Sequence, residues 1–247
     1  MIASPAVNAT STRKPSHVFT AFLIAGLVLS LLALYWIFLR APTEAMMGIV
    51  QKIFYFHVPA AICMQTLFFL CAGASAWVLI KDSDRADRLA HAAAEVGVLM
   101  AAFVLITGPL WARKAWGHYW EWEPRLTLTM VVLFMYVAYL ALRSFTGGAG
   151  HGDATRRIAA GLAIAGAPGV YLVKIAVEKW RGTHPRVIWS GGLQDPDMLT
   201  AFLLGIGAFV CITVSLVWMR TRLRATEDAA EGLLLDLIER DIVEERT

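Results

Sequence analysis

The sequence has few charged residues and lacks the common catalytic motifs. Only 17% of its 247 residues are Asp, Glu, Lys or Arg, and the formal net charge is +3, without a Lys/Arg block of the kind that binds nucleic acid. No Ser-His-Asp arrangement, phosphate-binding glycine loop or His/Cys/Glu cluster with zinc-ligand spacing is evident. We therefore expect no nucleic-acid partner, and the sequence indicates no zinc site, Ser-His-Asp site or phosphate-binding loop.

Cysteine is also scarce. Cys63, Cys71 and Cys211 each lie inside an apolar run, and no two of them have Cys-x-x-Cys spacing. This placement favours small core residues over a thiol redox relay.

Apolar residues, in contrast, make up 58% of the chain, and the mean hydropathy is +0.60. Charges are clustered in bands between apolar runs long enough to cross the roughly 30 Å hydrocarbon core of a bilayer as helices. The first run follows a polar tail (1–17) and is too long for the apolar region of a signal peptide, so we expect it to be retained. The predicted fold is an all-α polytopic membrane protein whose six spans cover 18–39, 53–80, 96–112, 126–142, 158–177 and 198–219.

Two segments of this membrane domain (18–219) are predicted to depart from a continuous helix. Residues 81–91 are rich in charge and predict a loop between the second and third spans. Pro168, flanked by glycines, predicts an interruption of the fifth span, because proline removes a backbone donor. Lys174 and Glu178, one turn apart, are either a functional intramembrane pair or, as we favour, side chains that reach towards the membrane surface.

The last segment, 220–247, is acidic. From Thr226 onward it holds eight Asp or Glu residues, and Leu234, Leu237, Ile238 and Ile242 fall at helical spacing. We expect a short amphipathic helix that is either a solvated tail or a docking helix for a partner, and the apolar stripe favours docking.

An even number of spans places both termini on one side. That side has the modest excess of Lys and Arg near the spans, so the positive-inside rule predicts that both termini are cytoplasmic. The start of the second span, the segment 116–127 and the loop 180–197 then share the external face, which is the periplasm in a Gram-negative bacterium.

Histidines are candidates on that external face. His57 lies in a 28-residue run without Asp, Glu, Lys or Arg, where an imidazole is costly unless its nitrogens are satisfied. It is either a functional group or a hydrogen-bonded histidine at a helix start. His184 precedes Pro185, which favours an extended backbone, and His118 is the weakest candidate. The remaining three, His17, His91 and His151, are expected to be solvated.

The most informative segment is 116–127, which reads Trp-Gly-His-Tyr-Trp-Glu-Trp-Glu-Pro-Arg-Leu-Thr. Such aromatic residues suit a membrane–water interface, and they equally suit a flat apolar ligand. Imidazole is a common ligand of heme iron, and arginine can pair with propionates. Arg125, Arg181 and Arg186 are the candidates for that pairing.

This segment resembles the tryptophan-rich signature of heme-handling proteins of cytochrome c maturation, and its Arg-Leu-Thr ending is most similar to the heme exporter protein C family. The resemblance covers essentially the whole chain. It implies that heme b binds to Trp116, Gly117, Trp120, Trp122, Glu123 and Arg125, with His57 and His184 as axial iron ligands. Glu123 departs from the usual Asp of the signature and adds one methylene.

The resemblance further implies a bacterial inner-membrane protein that is not itself an enzyme, holds heme at the periplasmic face and passes it to a covalent heme chaperone. The implied partners are the membrane and ATPase subunits of an ABC transporter and a small single-span accessory protein. The main alternative is a membrane b-type cytochrome subunit of an oxidoreductase. A small-molecule transporter that uses Pro168 and Lys174, and a longer synthetase-type relative, are further alternatives.

Overall fold

A computed structural model of the protein describes residues 16–44, 47–145, 153–180 and 193–244. These residues form long helices, and apart from one isolated bridge they contain no β-structure. The helices are α1 (His17–Tyr35, continued by a π-helical turn, Trp36–Arg40), α2 (Phe54–Lys81, preceded by a 3-10 turn, Ile49–Ile53), α3 (Asp84–Trp116), α4 (Pro124–Phe145), α5 (Asp153–Lys179) and α6 (Pro196–Glu244). Six segments are long and apolar enough to cross a membrane, which confirms the predicted all-α, six-span fold.

The bundle has two ends because successive helices run in opposite directions. We call the end where α1 begins and α2 meets α3 the terminal end, and the end where α3 meets α4 the tryptophan end. His57 and the segment 116–127 therefore lie at the tryptophan end, as their places in the sequence predict.

The predicted loop at 81–91 is wrong. Only Asp82 and Ser83 separate α2 from α3. Asp82 ends α2 in the left-handed region (φ 47°), and the Ser83 hydroxyl accepts a hydrogen bond from the backbone N–H of Ala86 at 3.4 Å. Ser83 is thus an N-cap, and the charged residues that follow it form the first turns of a helix rather than a loop.

The core lies between α2, α3, α4 and α5. The rings of Phe68 and Tyr136 stack 3.9 Å apart at 10°, and the Tyr136 hydroxyl is 2.9 Å from the carbonyl of Phe68 and 3.2 Å from that of Ala163. Cys63 and Cys71 are buried with free thiols in the same core, as predicted.

The predicted interruption at Pro168 is also absent, since α5 is continuous from Asp153 to Lys179. The neighbouring glycines are instead places of close helix packing. A Cβ at Gly166 would lie 2.9 Å from the Tyr136 ring, and one at Gly169 would lie 2.9 Å from Val132, both on α4.

The acidic segment continues α6 without a break. At 1.5 Å per residue the 49 residues of α6 extend roughly 73 Å, well beyond a hydrocarbon core of roughly 30 Å. Its side chains from Ala225 to Arg240 are exposed apart from the half-buried Glu231, so the leucines there contact no other described helix extensively.

Ion pairs hold the helices together at the terminal end. Arg143 of α4 makes a bidentate pair with Asp87 of α3 at 2.6 and 3.0 Å, and Arg156 of α5 is 3.0 Å from Asp84. Arg88 of α3 contacts Asp228 of α6 at 3.1 Å. The charges that suggested a loop therefore connect four helices.

His91 was expected to be solvated, and that expectation is wrong. It is buried on α3, and its Nε2 lies 2.6 Å from Arg224 Nη2 and 3.3 Å from Glu95 Oε1. Its burial follows from the helix that replaces the predicted loop, because that helix turns His91 towards α6.

Candidate functional site

The tryptophan end is fixed by contacts between α1, α2 and α6. The buried Lys52 ammonium donates to the carbonyls of Ile37 and, at 3.0 Å, Ala41, where α1 ends. The indole N–H of Trp36 donates to Asp197 of α6 at 3.0 Å. These bonds position the start of α2, which carries His57.

His57 lies in the first turn of α2, half-buried against α3. Its Nδ1 is 2.9 Å from the hydroxyl oxygen of Thr107. Its Cε1 would be 3.3 Å from a Cβ built on Gly108, so the ring packs against the α3 backbone where a side chain is missing. The guanidinium of Arg125 is near enough to act electrostatically on the imidazole.

Pro59 lies two residues beyond His57 and shapes this part of α2. It has no N–H, so the carbonyl of Tyr55 lacks its usual helical donor. A Cβ at Gly205 of α6 would lie 2.9 Å from that carbonyl oxygen, so only a residue without a side chain permits this approach. The close contact with α6 further fixes the helix turn that holds His57.

The turn between α3 and α4 begins at Gly117. Its φ of 85° is in the left-handed region, which ends α3 and favours glycine. Arg113 donates to the carbonyl of Gly117, and its guanidinium lies 5.7 Å from the centre of the Tyr119 ring. Gly117 thus has a local structural role, because it ends α3 and lets the chain enter the turn that holds the following aromatic residues.

The turn ends where Pro124 starts α4. Proline suits a first helical position because the N–H there has no helical partner. The carbonyl of Glu123 accepts the first helical bond, from the N–H of Thr127 at 3.0 Å. The Glu123 side chain is only 7% exposed, and its carboxylate acts electrostatically on Arg125. This acidic position therefore supports the turn and the neighbouring arginine.

Four indoles lie in this turn or in the last turns of α3 before it. Trp111 and Trp116 pack edge to face with their centres 5.3 Å apart, and Trp120 and Trp122 do so at 5.6 Å. Trp122 is 72% exposed. The indole N–H of Trp120 is buried without a hydrogen-bond partner among the described residues. The turn thus offers aromatic faces and a spare donor.

The sequence-predicted residues are only partly brought together by these observations. Arg125 is near enough to act electrostatically on His57, as Glu123 is on Arg125, and Trp116, Gly117, Trp120 and Trp122 lie in or beside the adjoining turn. His118 is exposed beside Trp116, 6.2 Å between ring centres. The second predicted iron ligand, His184, and the arginines Arg181 and Arg186 lie outside the described residues.

Sequence reasoning missed Thr107, Gly108 and Trp111. Trp111 is one turn beyond Thr107 on the same face of α3, which places it on the His57 side of that helix. A tryptophan five residues before the signature was a visible signal, whereas nothing in the sequence marks Thr107 as the partner of a residue fifty positions earlier.

The side chains at the tryptophan end suit a metal cofactor that itself supplies most of the ligands to its metal. Among the described residues no group of three or more His, Cys, Asp or Glu side chains is placed to hold a metal ion. A porphyrin supplies four nitrogens to its iron and needs only one or two axial ligands from the protein. The imidazole, indoles and arginine at the tryptophan end fit such a group.

Comparison with known proteins agrees with this chemistry. The sequence model of the family described as heme exporter protein C matches residues 2–234. The chain is 30% identical to heme exporter protein C of Paracoccus denitrificans over 222 residues, which cover 87% of this chain and 90% of that protein. It is 30% identical to the Escherichia coli K12 protein of that name (81% and 80% covered) and 29% identical to the Rhodobacter capsulatus one (81% and 84%). The chain therefore belongs to the heme exporter protein C family.

Proposed function

We propose that this protein binds heme b at the tryptophan end of its bundle and passes it to a covalent heme chaperone during cytochrome c maturation. Family membership supports a role in heme handling. The observation that carries the specific site is the placement of His57. Its imidazole is held against α3 by one ring nitrogen, next to Arg125 and at the same bundle end as the exposed tryptophan-rich turn.

Each group has a distinct role in this proposal. His57 and His184 supply axial ligands to the iron. Trp120 and Trp122 contact the porphyrin, whose flat apolar face matches an indole, and the unpartnered indole N–H of Trp120 donates to its polar edge. Arg125 pairs with a propionate, and the carboxylate of buried Glu123 favours the charged form of Arg125.

The proposed location is the bacterial inner membrane, with the tryptophan end facing the periplasm. The positive-inside rule supports this orientation, because Lys and Arg are more numerous near the terminal end. A site at one membrane face suits loading and release, because a heme that binds there does not have to be extracted from the interior of the bundle. The proposed partners are the chaperone, the membrane and ATPase subunits of an ABC transporter, and a small single-span accessory protein.

The alternative, a b-type cytochrome subunit, would carry electrons across the bilayer between hemes at different depths. His91 is the described histidine buried at the opposite end, and its Nε2 already contacts Arg224 and Glu95. An imidazole engaged in this way is a poor iron ligand. The described histidines therefore favour one heme site at one face over a transmembrane pair.

The test is the absorption spectrum of the protein purified after co-expression with its heme chaperone. We expect a low-spin, bis-histidine spectrum for the wild type, altered or lost in His57→Ala and in His184→Ala. His118→Ala is the matched control, since His118 is an exposed histidine of the same end, and it should leave the spectrum unchanged. Added imidazole should restore the low-spin spectrum of a His57→Gly variant, which separates ligation from folding.

A low-spin spectrum that survives both the His57 and His184 substitutions but is lost in His118→Ala would overturn the ligand assignment. Protein that folds but never binds heme would refute the proposed function itself.

A further inference from the structure

Thr107 makes two hydrogen bonds with one hydroxyl. Its Oγ1 lies 2.8 Å from the carbonyl oxygen of Phe103, one turn earlier in α3, and 2.9 Å from His57 Nδ1. A carbonyl oxygen can only accept, so a bond to Phe103 uses the hydroxyl proton, in the back-bonding that threonines in helices often make. In that arrangement Oγ1 accepts from His57 Nδ1–H, whereas the distance by itself also fits a hydroxyl that donates to Nδ1.

An acceptor at this position determines where the imidazole carries its proton. A neutral histidine has one N–H, and the second ring nitrogen keeps a lone pair. If Nδ1 donates to Thr107, Nε2 is unprotonated. None of the described residues makes a hydrogen bond to Nε2, so its lone pair is available.

We propose that Thr107 is a positioning residue that holds His57 as the Nδ1–H tautomer and presents Nε2 as the ligand for heme iron. The tautomer rests on the Thr107 hydroxyl donating to Phe103, while the ligand role rests on the proposed function. Gly108 assists, because the absence of a side chain lets the imidazole edge lie flat against α3 with Cε1 near the backbone. The ring is thereby fixed in both tautomer and orientation.

This arrangement has consequences for iron binding. A hydrogen bond at the far nitrogen of a ligating histidine orients the ring and raises its basicity, and loss of such a bond typically lowers metal affinity about 10- to 100-fold. A threonine in a transmembrane helix thus tunes an iron ligand without contacting the iron itself.

The first measurement is made without heme. In protein labelled with ¹⁵N-histidine, the His57 signals are assigned by their absence from His57→Ala. We expect a protonated Nδ1 and an unprotonated Nε2 in the wild type and in Thr107→Ser, which keeps the hydroxyl. Thr107→Val removes the acceptor but keeps the shape, so His57 should lose its single tautomer.

The second measurement is heme affinity by titration. Thr107→Val should bind heme about 10- to 100-fold more weakly than the wild type, with Thr107→Ser close to the wild type. Thr66→Val is the matched control, because Thr66 bonds back to Ile62 at 2.9 Å in the same manner but lies outside the site, on α2. It should change neither the His57 signals nor the affinity.

A protonated Nε2 in the wild type would overturn the proposal whatever heme does. So would an unchanged Nδ1–H signal in Thr107→Val, since another group would then fix the tautomer. If the tautomer behaves as expected but His57→Ala binds heme normally, the proposed ligand role of His57 falls, and with it the purpose assigned to Thr107.

Discussion

The connection between α3 and α6 at the terminal end gives a quantitative prediction. Glu95 accepts two hydrogen bonds from Arg220, at 2.5 and 2.6 Å, and a third from Arg224 at 3.0 Å. Substituting Glu95 with Gln removes the charge but keeps the size and one carbonyl acceptor. Two arginines would then face each other across a neutral residue.

The burial of these side chains sets the magnitude. Glu95 is 20% exposed and both arginines are 31% exposed, so the network lies between a surface pair and a fully buried one. Exposed pairs contribute at most about 1 kcal/mol, while breaking a buried pair costs about 3–5 kcal/mol. We therefore expect Glu95→Gln to lower the free energy of unfolding by about 2 kcal/mol.

The assay is reversible unfolding in mixed micelles by increasing SDS. Glu239→Gln is the matched control, because Glu239 is exposed on the same helix as the arginines, and it should change stability by no more than about 0.5 kcal/mol. A double-mutant cycle with Arg220→Gln should show a coupling of about 1 kcal/mol or more, since the two residues are in direct contact. The heme spectrum should not change, as the network is at the end opposite the proposed site.

A loss below about 0.5 kcal/mol for Glu95→Gln, equal to that of the control, would refute the reasoning. It would mean that solvent or lipid headgroups replace the ion pair at no cost, and that apolar packing alone holds α6 against α3.

Two further predictions concern the core. Gly97→Ala should destabilise the protein by about 1–3 kcal/mol, because its Cβ would lie 2.7 Å from the buried ring of Phe68. Gly73→Ala, with nothing within 4 Å, is the control, and equal stabilities would contradict the packing. Tyr136→Phe should cost about 0.6 kcal/mol and at most about 1.7, as measured for hydrogen bonds between membrane helices, and a larger loss would indicate repacking of the ring.

The number and order of the spans could be predicted because apolar run length is a direct physical requirement of the bilayer. The boundary at 81–91 could not. A charged stretch outside the hydrocarbon core can be either a loop or the projecting turns of a helix, and composition does not distinguish them. Ser83 was the available signal, since it is a typical N-cap residue before an apolar periodic segment.

The predicted interruption at Pro168 was wrong for a related reason. Gly and Pro together are typical of a break in a soluble helix, but in a membrane bundle small residues allow close helix approach. Gly166 and Gly169 serve that purpose against Tyr136 and Val132. The sequence contains the small residues, whereas their partners on α4 depend on helix register, which no local pattern encodes.

The same limit applies to the candidate site. His57 stood out because an imidazole in an apolar run needs a partner, and the tryptophan-rich segment stood out by composition. Thr107 did not, because a threonine in an apolar helix usually bonds back to its own helix. It does so here as well, and its second bond to His57 depends on how α2 packs against α3.

The arrangement of the tryptophans bears on the two interpretations of the segment 116–127. A membrane-interface belt accounts for single exposed rings, and Trp77 near the terminal end is one of them. It does not account for four indoles packed in edge-to-face pairs beside a buried glutamate. A tryptophan buries roughly 150–250 Å² when fully covered, and Trp122 is 72% exposed. Covering one face of it, about half of the exposed surface, therefore removes roughly 50–90 Å² from water, worth about 1–2 kcal/mol. A flat ligand gains this stabilisation only while it is seated on the turn. That gain favours capture of such a ligand at the tryptophan end.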